Sequence, residues 1–214
     1  MKIQKKFITD RIISLVFETQ EELASTFLRF QEYYENPEFK GKVFTLDEFK
    51  DWHITTRGEF TYYKDWEGFN IPANALIPFY AGLFDELSDR EEEFLDLLEG
   101  DIPSGKDFYI IGTLGNDAET LKHEIAHGLF YTNPKYHEEV LCIIADHDVF
   151  LPPFFNYLRR NYASSSWIDE LHAYLLTDTK ELAKAKIPVK TCAKLIADLD
   201  AVYEKYNPLK EDIL

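Results

Sequence analysis

The sequence predicts an α+β protein, 1–214 in one domain, with a small sheet packed on one central helix and a mostly helical C-terminal half. Three observations lead there. Strand-like runs, rich in β-branched and aromatic residues, are confined to the first half. Helical periodicity and capping signals dominate the second half. Between them, a buried-strand pattern at 107–111 passes through Gly112 and Gly115 into residues 116–131, NDAETLKHEIAHGLFY.

Taken in order, residues 11–18 read as a strand, with or without a partner strand before it. Thr19 and Glu22 form a capping box for a helix over 20–35, whose stripe of Leu23, Phe27, Phe30 and Tyr34 is accounted for by core packing. Thr45 and Glu48 cap a short helix through 52. Residues 58–63 alternate weakly and read as a strand, whereas 65–72, with Gly68 and Pro72, reads as a fixed loop. His53 has no visible partner and is taken as structural or solvated. Ser88 and Glu91 cap a helix to about 99 with Phe94, Leu95, Leu97 and Leu98 inside; its acidic first turns suit the helix dipole. Residues 100–106 form a loop without phosphate-loop spacing. After the central helix come helices at 135–147 (Val140, Leu141, Ile143 and Ile144 inward), from Pro152 to about 161, at 167–176 after a polar break, and at 189–206.

Composition bounds the function. Apolar residues make up 45% and aromatics 15% of the 214, enough for a substantial core and unlike a disordered chain. The 13 Tyr and 17 Phe are accounted for by an aromatic core, with a substrate groove as the alternative use. A net charge of −16 disfavours nucleic acid and anionic membranes. There is no apolar run of membrane-spanning length, and Asp10 and Arg11 interrupt any signal-peptide core. Cys142 and Cys192 make no disulfide framework, Cys142 reading as a buried thiol. A cytoplasmic location is expected.

Chemistry concentrates in His123-Glu124-Ile125-Ala126-His127. On a helix the two imidazoles, four residues apart, share one face and can bind one metal ion. Glu124 is rotated about 100° from His123, beside the metal but not on it, where a general base for a metal-bound water belongs. Asn116 and Glu119 form a capping box in front. A catalytic zinc takes three protein ligands. Among Glu138, Glu139, Asp146, His147, Asp148, Asp169, Glu170 and His172, Glu170 fits best, because Ala173 and Tyr174 share its helical face and a small residue allows close helix approach. A carboxylate satisfying the helix dipole is its alternative role. His147, flanked by Asp146 and Asp148, is second. Asp169 is placed to fix a histidine tautomer; His172 points elsewhere and is taken as structural or solvated.

A strand and turn leading into an H-E-x-x-H helix, with Glu170-x-x-Ala173 on a second helix, resembles the zincin metallopeptidases of the glutamate type (gluzincins), including the ImmA/IrrE-type regulatory peptidases. The resemblance covers 107–131 and 167–176 and leaves the aromatic-rich 1–106 unassigned. Asn133, six residues after His127, stands where a metzincin has its third His. The resemblance implies a zincin-like fold and a zinc-dependent peptidase acting on a peptide or protein: Zn2+ on His123, His127 and Glu170, Glu124 as general base, Tyr174 as donor to the oxyanion. The competing expectation is a zinc-containing binding or regulatory protein without peptidase activity, using its aromatic first half as a partner surface.

Overall fold

A computed structural model describes residues 3–84, 86–102, 107–115, 117–147, 151–184, 186–187 and 189–213. The chain is α+β. Strands β1 (Gln4–Thr9) and β2 (Ile12–Phe17) form a hairpin that leads into helix α1 (Gln20–Glu35). Helix α2 (Leu46–Arg57), a 3-10 turn at Tyr62–Lys64, strand β3 (Gly68–Pro72), short helix α3 (Ile77–Tyr80) and helix α4 (Asp89–Leu98) follow. Strand β4 (Tyr109–Leu114) leads into α5 (Ala118–Thr132), and the rest is helical: α6 (Pro134–Asp146), α7 (Leu151–Leu158), α8 (Trp167–Thr177), α9 (Thr179–Lys184) and α10 (Ala193–Tyr206).

The sheet has the order β1-β2-β4-β3, antiparallel except for the parallel β2–β4 pair at its centre. It separates two cores by its period-two alternation. Ile13, Leu15, Phe17 and Ile110 face α1 and the aromatic residues of the first half, while Ile12, Tyr109 and Ile111 face α5 and the C-terminal helices. Central strands covered on both faces need continuous apolar runs, which is what β2 and β4 supply. The aromatic residues of the first half mostly pack on one another: Phe27 lies 5.1 Å from Phe94 and Phe30 4.9 Å from Phe94, ring to ring. A buried, bidentate Arg29–Glu91 pair (2.7 and 2.6 Å) ties α1 to α4, so Glu91 has a use beyond the helix dipole.

Several local expectations are corrected. Residues 58–63 are not a strand: Gly58 ends α2 at φ +93°, and Thr61 donates to Asp65 (2.8 Å) across the 3-10 turn. The third strand is instead 68–72, read as a loop because of Gly68 and Pro72; both are tolerated at the ends of a short edge strand. Gly112 is inside β4, where an added Cβ would come within 2.5 Å of the Phe27 ring. On α6 the inward stripe is Tyr136, Val140 and Ile144, spaced by four, which turns Leu141 outward and leaves Cys142 exposed rather than buried. Ser166 makes no capping bond to α8. Asn116, Asp148, Pro188 and the loop at 103–106 lie outside the described residues. Among the described residues, no helix is long and apolar enough to cross a membrane.

Candidate metal centre

Helix α5 is capped by Asp117, whose carboxylate accepts from the backbone N–H groups of Glu119 (3.3 Å) and Thr120 (3.1 Å). It ends at Asn133, which caps α6 in turn, with Pro134 in the first turn where its missing N–H costs nothing. Gly128 lets α5 approach β2: a Cβ there would come within 2.9 Å of Ile12 Cδ1. This close seat on the sheet buries His127 and Glu124 and leaves His123 half-buried. Helix α8 packs across α5 and brings Glu170 to the histidines. One ligand atom from each of His123, His127 and Glu170 lies within 4.8 Å of the others, the single such group among the described residues.

Hydrogen bonding fixes what the histidines offer. The Thr177 hydroxyl donates to the Ala173 carbonyl (2.8 Å), so its oxygen accepts from His123 Nδ1–H (2.8 Å). His127 Nδ1 faces Asp169 Oδ1 at 2.9 Å, a short but angled contact that leaves neither atom with a well-formed hydrogen bond. His123 Nε2 therefore carries a lone pair into the site, with His127 Nε2 3.2 Å from it and Glu170 Oε1 3.7 Å from His127 Nε2. A hydrogen bond from His127 Nε2–H, or a cation held between the two nitrogens, accounts for that closeness. Ligands of a tetrahedral zinc, each about 2.0–2.1 Å from it, stand about 3.3 Å apart. Buried oxygens Glu170 Oε2 and Glu124 Oε2 also have no partner. The residues present thus fit a zinc ion.

The electrostatics agree. Burial pushes the His127 imidazole down to about 3, and burial together with His127 holds His123 well below the ordinary range, so both are neutral at neutral pH. Burial raises Glu124 to about 8, opposed by a hydrogen bond from Asn70, and raises Asp169 to about 7. Glu170 is held well above the carboxylate range by burial and by the negative fields of Glu35, Asp169 and Glu124.

Of the residues singled out from sequence, His123, Glu124, His127, Asp169, Glu170 and Tyr174 come together. The Tyr174 ring lies 5.1 Å from that of His123, and its hydroxyl is 3.1 Å from that of Tyr162. His147 does not join them: it donates from Nδ1 to the Ile143 carbonyl and faces Asp198 of α10 at 3.3 Å. His172 is buried and stacks on Phe130 at 4.9 Å, a packed residue and not a solvated one.

Sequence reasoning missed the contribution of α1 and β3. Asn70 accepts from the Tyr109 hydroxyl (2.5 Å) through Oδ1, which turns its amide N–H toward Glu124. Its backbone N–H, on the sheet's edge, donates to Gln31 Oε1 (3.1 Å), and Gln31 donates to Glu35 (2.6 Å). Helix α1 is therefore more than core packing, because its Gln31, Glu32 and Glu35 line the cleft. Thr177 was legible, since it stands seven residues after Glu170 and three after Tyr174, on their face. His53, taken as unpartnered, is buried beside the cleft. No protein-family model, curated protein or solved structure matches this chain.

Proposed function

We propose that this chain is a zinc-dependent metallopeptidase with a zincin-like fold, acting on a peptide or protein substrate in the cytoplasm. The observation that carries the proposal is the convergence of two imidazole nitrogens and the buried Glu170 carboxyl, with Glu124 on the same helix as the histidines. Zinc at this position acidifies a water molecule and polarises a carbonyl. Glu124, poised by burial near neutral pH and oriented by Asn70, takes the proton from the attacking water and passes it to the leaving amine. The Tyr174 hydroxyl donates to the developing oxyanion. Thr177 and Asp169 hold the two imidazoles with Nε2 turned inward. The exposed Cys142 thiol suits a reducing compartment.

Zinc-loaded protein is tested against a mixed peptide library, with Glu124→Gln alongside. Hydrolysis by the wild type and at least 100-fold slower hydrolysis by the zinc-retaining variant supports the proposal. Equal rates in the two, or a zinc-loaded wild type that cleaves nothing, overturns it.

A further inference from the structure

The cleft at the metal centre has a volume of about 570 Å³ and extends between α1, α2 and the Tyr62–Lys64 turn. Nine carboxylate side chains line it against four basic ones. At its α1 end stand Glu32 and Glu35, both more than nine-tenths buried. Glu32 is occupied, accepting from the Tyr62 hydroxyl (2.7 Å) and the Asn36 amide (2.5 Å). Glu35 accepts from Gln31 through Oε1 (2.6 Å). Among the described residues, no lysine or arginine pairs with either. Arg57 in the lining and Lys40 act on Glu32 and Glu35 only through space, their own hydrogen bonds going to Asn161 (2.8 Å) and Ser165 (2.9 Å).

A second observation comes from α2. His53 donates from Nδ1 to the Glu59 carbonyl (2.9 Å), which leaves Nε2 as an acceptor. That atom is buried at the cleft, facing Asp65 Oδ2 at 3.9 Å without a hydrogen bond. This end of the cleft is thus furnished with acceptors and short of donors. Trp52, Tyr62 and Trp66 add aromatic faces, which suit an aliphatic stem with a positive tip.

We infer that this end of the cleft holds a cationic group of the substrate, an ammonium or guanidinium, with Glu35 as its carboxylate partner. The inference rests on the peptidase reading of the adjoining centre. Glu35 lines the same cleft as Glu124 and Glu170, which places the cation alongside the candidate metal centre. A cation there also offsets the repulsion between these carboxylates. Two sources supply such a group: a Lys or Arg side chain, or a free N-terminal amine.

Binding separates this claim from catalysis. Zinc-loaded Glu124→Gln protein is titrated, by fluorescence anisotropy, with three labelled peptides: acetyl-capped with Leu next to the central bond, acetyl-capped with Lys there, and uncapped with Leu at its terminus. The expected result is at least tenfold tighter binding of one cationic peptide than of the capped Leu peptide, reduced to within threefold when Glu35→Gln is added. Which peptide gains identifies the source. Gln is isosteric with Glu and removes a buried charge; an unchanged circular dichroism spectrum verifies the fold of the double variant. No gain for either cationic peptide, or a gain that survives Glu35→Gln, overturns the inference. Cleavage by the wild type with no such binding gain sinks the subsite alone; Glu35-dependent binding without any cleavage sinks the peptidase alone.

Discussion

Thr177 shows how much a single hydroxyl decides. By accepting from His123 Nδ1–H it commits the other nitrogen to a lone pair facing the site. Replacing it with Val removes that acceptor while keeping the shape, and zinc affinity is expected to fall about 10–100-fold; competition with a zinc chelator measures this, and an unchanged affinity contradicts the assigned tautomer. Asn70 plays the matching part for Glu124. Its amide stabilises the carboxylate, so Asn70→Ala raises the Glu124 pKa further and moves the acid limb of the kcat/KM profile to higher pH. An acid limb that stays in place excludes this role. Zinc binding itself must displace the proton from Glu170, whose carboxyl is held well above its ordinary range, whereas both histidines are already neutral. Calorimetry in buffers of different ionisation enthalpy is expected to show proton release on zinc binding.

At the scale of elements, β3 sets the position of Glu124, the proposed general base. Gly68 lies so close under α5 that an added Cβ would collide with the Glu124 carboxylate and stand 2.8 Å from Thr120 Cγ2. Gly68→Ala is therefore expected to lower kcat by more than tenfold with zinc still bound, a split that zinc analysis and steady-state kinetics resolve. Gly112→Ala, pressed onto Phe27, acts on packing and is expected to cost about 1–3 kcal/mol of stability, read by denaturant unfolding. The sequence made the α5 and α8 stripes legible because helical spacing alone brings His123 near His127 and Glu170 near Tyr174. It did not reveal β3, since Gly68 and Pro72 carry loop composition and only pairing with β4 makes them a strand. Nor did it place Glu35 and Gln31 at the cleft: local spacing on α1 cannot say that an edge strand and α5 lie against its polar side.

Across the whole molecule, the sheet divides an aromatic core built by the first half from a second core built around α5. The α+β class and the helical C-terminal half were legible because β-branched runs and helical stripes are local signals. The sheet order was not, because the parallel pairing of β2 with β4 joins segments separated by most of the first half. The cleft lies where these layers meet, and its negative charge has a consequence for folding. Burial raises Glu32 to about 7, so the folded state holds its proton more tightly than the unfolded one. Stability from this group is fully present at pH 4 and is lost as pH rises through 7, by about 3 kcal/mol at most. Glu32→Gln is expected to gain stability relative to wild type on going from pH 4 to pH 8 in zinc-free protein; a difference that does not change with pH contradicts it.

The central proposal is that His123, His127 and Glu170 meet at one zinc. Elemental analysis of purified wild type, Glu170→Ala and His147→Ala tests this directly. One zinc per chain is predicted in the wild type and in His147→Ala, with loss in Glu170→Ala; a zinc-free wild type, or a full complement in Glu170→Ala, contradicts it.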